Sequence, residues 1–242
     1  MPLVEFRDVS YEIAGRTILS HIDLAVEAGD TLVLLGRSGA GKTTALKLTN
    51  GMLFPSSGQV LVEGRPTTEW DPIRLKRRTG YVIQEVGLFP HLTVRDNVSL
   101  VPKLERWAPA DVERRVGRLL QQVGLAPAEF LPRYPRQLSG GQRQRVGVAR
   151  ALAADPPLLL FDEPFGALDP VTRVELQQQF LNLRRDFQKT SIFVTHDVRE
   201  ALRLGTRIAL LARGRVDVMA GPREFREART EEARAFLACL DN

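Results

Sequence analysis

The chain has 242 residues, of which 43% are hydrophobic and 26% are charged, and its net charge is +5. This length and this composition predict a soluble globular domain that buries a core without help from disulfides. Its apolar runs fall far short of the roughly 18 residues of a membrane helix, and its first residues lack the basic and apolar stretches of a signal peptide. The sequence therefore favours neither a membrane-spanning nor a secreted protein.

The cysteine, histidine and basic residues argue against an internal disulfide, a cysteine–histidine metal site and a nucleic-acid partner. The single cysteine, Cys239, cannot form an internal disulfide, and three scattered histidines do not make a cysteine–histidine metal site. The 29 arginines and 5 lysines are interleaved with acidic residues, and the largest basic run covers only residues 74–78. A dispersed charge of this kind does not indicate a nucleic-acid partner.

Strands and helices alternate along most of the predicted chain. The predicted strands cover residues 4–9, 22–26, 31–35, 59–63, 81–84, 158–161 and 191–195, with a hairpin over 208–218. The predicted helices cover residues 42–50, 111–123, 140–154, 172–187 and 198–204, with a charged helix from residue 222. This alternation predicts an α/β fold with a mostly parallel sheet. Between residues 87 and 155 the pattern is helical, which predicts an inserted helical lobe.

A glycine-rich loop between a predicted strand and a predicted helix carries the first chemical motif. It fits the pattern GxxxxGK[ST] with Gly36, Arg37, Ser38, Gly39, Ala40, Gly41, Lys42 and Thr43, and Thr44 extends the predicted nucleotide site. Glycines let backbone N–H groups curl around phosphates, and the following helix presents its positive end to them. Lys42 is expected to reach the β- and γ-phosphates, and Thr43 to offer its hydroxyl to Mg²⁺. The motif predicts a P-loop; a glycine-rich turn without a ligand is the alternative.

Two carboxylates follow the apolar run at residues 158–161. The carboxyl ends of parallel strands form the edge of a sheet where ligands bind. There, Asp162 is expected to hold Mg²⁺ through its water shell, and Glu163 to polarise the attacking water as a general base. An acidic strand end is common by itself, so this prediction depends on the P-loop.

A serine and two glycines open the helix predicted from residue 140. The pentapeptide consists of Leu138, Ser139, Gly140, Gly141 and Gln142. Such a helix start forms a second site for an anion. An ordinary N-cap explains Ser139 but not the whole pentapeptide. With this motif, the chain resembles the ATP-binding cassette ATPases, which are the nucleotide-binding subunits of ABC transporters.

The resemblance covers nearly the whole chain and implies roles for further residues. In that family the pentapeptide is the signature motif, which contacts the γ-phosphate of ATP held by the P-loop of the opposing subunit. Tyr11 matches the aromatic residue that stacks on adenine, and Gln84 matches the glutamine that touches Mg²⁺ and the attacking water. The loop that crosses the dimer interface is matched by Ala167, Leu168 and Asp169, and His196 matches the switch histidine that bonds the γ-phosphate. Without the resemblance, Tyr11 and His196 would be ordinary structural residues.

The resemblance also implies a fold and a domain organisation. The expected fold is a P-loop NTPase (RecA-like) core with an N-terminal antiparallel β subdomain and an inserted α-helical subdomain that carries the signature motif. The core would cover residues 1–86 and 156–242, and the helical subdomain about residues 87–155, within a single nucleotide-binding domain over residues 1–242. We expect no C-terminal regulatory domain, because residues 222–242 are too few to form one.

By the same resemblance, the working state is a pair of these chains. Two chains would pair head to tail as a homodimer and sandwich two ATP molecules, because each site needs Ser139 and Gly141 from the opposing chain. ATP binding would close the dimer and hydrolysis would open it. Integral membrane permease subunits would convert this cycle into transport, with an extracytoplasmic substrate-binding protein as an indirect partner. The chain would then be peripheral, on the cytoplasmic face of the inner membrane.

One stretch of the sequence narrows the resemblance. Residues 81–94 are similar to the corresponding stretch of ATPases that import osmoprotectants: glycine betaine, choline, carnitine and proline. The similarity extends to Asn97, Val98, Val101, Pro102 and Trp107. Residues 89–93 are expected to lie in the groove that receives a coupling helix of the permease, or else merely to pack the helical lobe. Many osmoprotectant ATPases carry a C-terminal pair of regulatory domains, which are not expected here. The sequence does not indicate whether the ionic-strength sensing attributed to that region is retained.

Other functions remain as alternatives. The chain could drive an importer for another substrate, or an exporter or lipid-extraction system of the same fold. It could also be a non-transport ABC ATPase acting on nucleic acid or ribosomes, although those usually carry two cassettes or a long coiled-coil insertion. A P-loop kinase is a distant alternative, because it leaves residues 138–142 and His196 unexplained.

Overall fold

The computed structural model describes residues 1–84, 87–166 and 168–240 of the chain. In chain order its strands are β1 (Val4–Ile13), β2 (Arg16–Val26), β3 (Thr31–Leu35), β4 (Ser57–Val62), β5 (Arg65–Pro66), β6 (Thr79–Val82), β7 (Leu158–Asp162), β8 (Thr190–Thr195), β9 (Arg207–Ala212) and β10 (Arg215–Ala220). Its helices are α1 (Lys42–Thr49), α2 (Pro72–Arg77), α3 (Val94–Leu104), α4 (Pro109–Gln122), α5 (Pro127–Phe130), α6 (Gly140–Leu152), α7 (Pro170–Phe187), α8 (Val198–Leu204), α9 (Pro222–Phe225) and α10 (Glu231–Leu237). The chain forms two compact units, one of Met1–Lys76 with Lys189–Asn242 and one of Arg77–Gln188. Among the described residues, no helix is both long enough and apolar enough to cross a membrane.

The first unit holds two sets of paired strands. An antiparallel sheet has the strand order β2-β1-β4-β5, and a second set has the order β10-β9-β3-β8. In the second set, β3 is parallel to β8 and β9, with Leu35 opposite Thr195 on one side and Leu210 on the other. All five residues of β3 are buried, as expected for a parallel strand covered on both faces. The carboxyl ends of β3, β8 and β9 therefore meet at one edge, where the P-loop begins.

The second unit combines one pair of parallel strands with the helices α3–α7. In the strand pair, Tyr81 of β6 lies opposite Leu160 of β7. α4 packs against α3 and α6. It does so with an apolar stripe whose buried members are Val112, Val116, Leu119 and Leu120. Helical spacing and burial together make this stripe a part of the core.

The predicted α/β class is confirmed. Several predicted elements differ in their bounds from those observed, and the structure explains two of these differences. The strand predicted at residues 81–84 is wrong by two residues, because pairing with β7 covers Thr79–Val82 and β7 turns at Glu163. The charged helix predicted from residue 222 is divided into α9 and α10, because Thr230 caps a new helix start by accepting the backbone N–H of Ala233. The predicted division into a core and a helical subdomain stays a prediction.

Candidate functional site

Glycine is required at two positions of the P-loop, which lies in the first unit. Gly41 has a φ of 98°, a left-handed conformation that favours glycine. A Cβ atom at Gly41 would lie 2.5 Å from Cδ2 of Leu19, and one at Gly36 would lie 2.5 Å from the carbonyl oxygen of Leu211. Neither neighbour leaves room for a side chain, so β2 and β9 hold the loop closely on two sides.

The loop surrounds the Lys42 side chain. Lys42 is buried, and its Nζ atom donates hydrogen bonds to the carbonyl oxygens of Gly36 at 2.8 Å and Arg37 at 3.0 Å. α1 starts directly after Gly41, which supplies no side-chain cap. Thr43 and Thr44 lie half-buried in its first turn. A cation held beside the positive end of a helix is an arrangement that binds phosphate.

Tyr11 lies on the strand pair that contacts the P-loop. In the pairing of β1 with β2, Tyr11 is opposite Leu19, the residue whose side chain lies against Gly41. The Tyr11 side chain is half-buried. The structure therefore brings the predicted adenine-stacking residue near the P-loop, with Leu19 between them.

His196 follows β8 in a turn that is held by hydrogen bonds. The Thr195 hydroxyl donates to the Glu200 carboxylate at 2.6 Å and accepts the backbone N–H of Asp197 at 3.0 Å. Asp197 in turn caps α8. The His196 side chain is exposed. Because Thr195 pairs with Leu35, this turn lies at the edge where the P-loop begins.

Asp162 ends β7 in the second unit and has a partner that the sequence did not indicate. The Tyr81 hydroxyl donates a hydrogen bond to Oδ2 of Asp162 at 3.3 Å. Burial, and then the charge of Asp162, raise the pKa of Tyr81 well above its ordinary value of 10.0. The phenol therefore stays protonated at neutral pH and orients the buried carboxylate. The only signal for this pair is the register of β6 with β7, which the sequence does not supply.

Glu163 and Gln84 both lie beside Gly166. A Cβ atom at Gly166 would be 3.8 Å from Nε2 of Gln84 and 3.9 Å from a carboxylate oxygen of Glu163. Glu163 has a φ of 45°, a conformation that is uncommon for residues other than glycine and that concentrates at functional sites. The structure thus brings the predicted general base and the predicted glutamine together.

The signature motif opens α6 with a capping box. Oγ of Ser139 accepts the backbone N–H of Gln142 at 3.2 Å, and Oε1 of Gln142 accepts that of Ser139 at 2.9 Å. A Cβ atom at Gly141 would lie 2.5 Å from Cγ2 of Thr172 on α7. Asp169 caps α7 by accepting the backbone N–H of Thr172 at 3.0 Å. Hydrogen bonds from the backbone and side chain of Thr172 hold the pKa of Asp169 below its ordinary value of 3.8. The signature motif and the predicted interface loop therefore meet at Thr172.

A second contact that the sequence did not indicate joins α6 to the segment after Gln84. An Nη atom of Arg150 donates a hydrogen bond to the carbonyl oxygen of Gly87 at 2.8 Å. Burial lowers the pKa of Arg150 from its ordinary value, and the guanidinium remains charged. Residues 85 and 86 of the osmoprotectant-like stretch, and Ala167 of the predicted interface loop, lie outside the described residues.

Comparison with known proteins relates the chain to one family. The family model described as ABC transporter matches residues 19–166. The chain is 49% identical over 211 residues to the glycine betaine/carnitine/choline transport ATP-binding protein OpuCA of Bacillus subtilis, covering 87% of this chain and 55% of OpuCA. It is 48% identical over 207 residues to the osmoprotectant import ATP-binding protein OsmV of Salmonella typhimurium, covering 86% and 54%. It is 44% identical over 220 residues to the glycine betaine uptake system ATP-binding protein YehX of Escherichia coli, covering 91% and 71%.

A solved structure agrees with these relatives. The ATP-binding cassette MJ0796, in a dimeric post-hydrolysis state bound to ADP and Pi, matches with a TM-score of 0.79 and 32% identity, covering 90% of this chain and 98% of that one. The chain therefore belongs to the ABC transporter family and has the fold of its ATP-binding cassettes, which confirms the predicted family. It spans about half the length of OpuCA and OsmV.

Proposed function

We propose that the chain is the ATP-hydrolysing subunit of an ABC importer for osmoprotectants. The observation that carries this proposal is the structure of the P-loop. At Gly36 and Gly41, neighbouring atoms leave no room for a Cβ atom, so glycine is required there. Within it, Lys42 is buried and held by two loop carbonyls. A closed glycine loop, a fixed ammonium group and an uncapped helix start fit the triphosphate of ATP.

The remaining residues of the first unit have complementary roles toward ATP. Tyr11 stacks on the adenine ring, and residues 36–44 surround the phosphates with backbone N–H groups and hydroxyls. Lys42 binds the β- and γ-phosphates. The side chain of His196 donates a hydrogen bond to the γ-phosphate from its fixed turn after β8.

Oxygen-bearing side chains fit the Mg²⁺ ion that accompanies ATP. Thr43, Gln84 and Asp162 would hold it, and Asp162 is presented by the Tyr81 hydroxyl. The described residues contain no group of three or more histidine, cysteine and carboxylate side chains suited to hold a metal. Phosphate oxygens and water molecules would complete the coordination of the Mg²⁺ ion. When bound, Mg²⁺ would neutralise charge on the phosphates.

Glu163 and Gln84 act on the water molecule that attacks the γ-phosphate. Glu163 accepts a proton from that water as the general base, and Gln84 orients it by hydrogen bonding. Their common position beside Gly166 supports this division of work. The bond from the γ-phosphorus to the bridging oxygen breaks, and ADP and phosphate are the products.

A second copy of the chain completes each nucleotide site. Ser139, Gly140, Gly141 and Gln142 would contact the γ-phosphate of ATP bound to the opposing chain, and Asp169 would cross the interface. The dimeric MJ0796 structure supports this arrangement. ATP then closes the dimer, and loss of the γ-phosphate opens it.

The names of the relatives support the choice of cargo and partners. OpuCA, OsmV and YehX are named for glycine betaine, carnitine, choline or osmoprotectants. The chain would act on the cytoplasmic face of the inner membrane with permease subunits, and a substrate-binding protein would deliver the cargo. Phe89, which is exposed, would contact a coupling helix of the permease.

Recovery of the partners tests this proposal. Tagged Glu163→Gln protein would be purified in detergent from its native membranes with ATP present, and wild-type protein without ATP would serve as the control. We expect a multi-span permease to be recovered with the variant, and its binding protein to bind glycine betaine or choline. Recovery of RNA, DNA or ribosomal proteins without a permease would overturn the transport function.

A further inference from the structure

The helix α10 is fixed to the rest of the first unit by its apolar face and by its cap. Ala233 and Phe236 are buried. The Thr230 hydroxyl accepts the backbone N–H of Ala233 at 3.2 Å and donates to the Asp217 carboxylate on β10 at 2.5 Å. The first turn of α10, which begins with Glu231 and Glu232, is therefore held in one place.

This first turn forms one wall of a cleft beside the P-loop. The cleft has a volume of about 660 Å³ and is lined by residues 16–18, 37–40, 211–214 and 231–232. Four P-loop residues thus share a cleft with two carboxylates. The same cleft is lined by Arg16, Arg37 and Arg213. The charges of α10 therefore lie beside the P-loop, although the sequence places them far from it.

Arg37 joins α10 to the interior of the P-loop. Its Nε atom donates to Oε1 of Glu232 at 2.6 Å, and the two side chains are 68% and 25% exposed. Its backbone carbonyl oxygen accepts hydrogen bonds from the N–H of Ala40 at 3.2 Å and from Nζ of Lys42 at 3.0 Å. One residue therefore links a carboxylate on α10 with the ammonium group that would bind phosphate.

We propose that Glu232 is a positioning residue for the P-loop, which strengthens the binding of a nucleoside triphosphate by holding Arg37 and, through its carbonyl group, Lys42. This inference rests on the proposed function, because it assumes a nucleotide at the P-loop. Glu232 does not touch the nucleotide. Its effect is on binding and not on the hydrolytic step.

Two effects of Glu232 have opposite signs and must be separated. As a negative charge in the cleft, Glu232 repels a polyanion, so its removal would strengthen binding. As the anchor of Arg37, it orders the loop, so its removal would weaken binding. Glu231 separates the two effects, because it lines the same cleft and among the described residues Arg37 pairs with Glu232 instead.

Titration with a fluorescent ATP analogue, mant-ATP, tests the proposal on the full chain. We expect Glu232→Gln and Arg37→Ala each to raise Kd about two- to five-fold, the range that an exposed ion pair supplies. The double variant should bind no more weakly than either single variant. Glu231→Gln should leave Kd unchanged or lower it. In ATPase assays at saturating ATP, kcat should stay at the wild-type value in Glu232→Gln while KM rises.

The charge-reversed pair is the rescue experiment. Arg37→Glu combined with Glu232→Arg restores the ion pair in reverse, and we expect Kd to return toward the wild-type value. Equal effects of Glu232→Gln and Glu231→Gln, or a lower Kd in Glu232→Gln, would overturn the positioning role while leaving the proposed function intact. If wild-type protein binds mant-ATP no better than Lys42→Ala, the proposed function fails and this inference fails with it.

Discussion

The P-loop and the signature motif both place glycines at the start of a helix, and the two helices begin differently. α1 follows Gly41, which is left-handed and provides no side-chain cap. α6 follows Ser139, whose capping box with Gln142 satisfies backbone N–H groups on both residues. The start of α1 therefore has no side-chain cap, whereas the start of α6 is capped by its own side chains.

This difference assigns the two motifs unequal roles in binding. The P-loop supplies a fixed cation, Lys42, and a cradle that only glycine can form, so it can bind phosphate within one chain. At the signature motif, the Ser139 oxygen already accepts one hydrogen bond, and its proton is what it has to offer an incoming phosphate oxygen. Under the proposed function, the P-loop would be the primary site, and the signature motif would add contacts to a nucleotide that is already bound.

The largest expected effect separates binding from hydrolysis. Glu163→Gln should lower the ATPase rate by about 10²–10⁴-fold, because a general base contributes that much, while mant-ATP binding stays close to wild type. Phosphate release and mant-ATP titration measure the two quantities. Glu113→Gln, a change of the same type on an exposed face of α4, is the control. Wild-type turnover in Glu163→Gln would remove Glu163 from its role.

The next effect concerns the primary site itself. Lys42→Ala should weaken mant-ATP binding by about 10–100-fold, since it removes charge-assisted hydrogen bonds to phosphate. Lys47→Ala, in the last turn of the same helix, changes the same charge away from the loop and should have little effect. Equal losses in both variants would show that net charge, and not the position of Lys42, governs binding.

The free energy of unfolding distinguishes the two adjacent glycines of the signature motif. Gly141→Ala should lower the free energy of unfolding by about 1–3 kcal/mol, because the new methyl group overlaps Thr172. The nearest atoms to a Cβ atom at Gly140 lie 4.0 Å away, so Gly140→Ala should cause no loss. Urea unfolding measures both. Equal destabilisation would mean that backbone freedom, and not contact with α7, selects glycine here.

The smallest expected effect is a pH dependence at Asp169. Hydrogen bonds from backbone N–H groups hold its pKa below the ordinary value of 3.8 in the folded chain. A carboxyl group of this kind stabilises the fold above its unfolded pKa and loses that effect as pH falls through its folded pKa. The stability advantage of wild type over Asp169→Asn should therefore shrink below about pH 4. An advantage that does not change with pH would contradict this cause.

The sequence predicts local features of this molecule well. The P-loop, the Ser139 cap and the buried strand before Lys42 are found where the pattern places them, because each depends on neighbouring residues. The bounds of β6, which ends at Val82, and the break of the charged tail at Thr230 were not predicted, because a partner strand and a helix cap decide them.

Contacts between distant residues could not be predicted. Tyr81 meets Asp162 through strand register, and Arg37 meets Glu232 across 195 positions of sequence. No periodicity or motif encodes either pair. The sequence indicated no function for the segment from residue 222 onward. In the structure, packing within the first unit places α10 of this segment beside the P-loop.

Complementation between two inactive variants tests most directly whether a nucleotide site is shared by two chains. Lys42→Ala and Ser139→Arg proteins would be assayed for ATPase activity alone and as an equimolar mixture. A mixed dimer contains one site with both defects and one with neither, so we expect the mixture to regain activity that each variant lacks. A mixture no more active than the mean of its components, with mixed dimers demonstrated by affinity tags, would contradict a shared site.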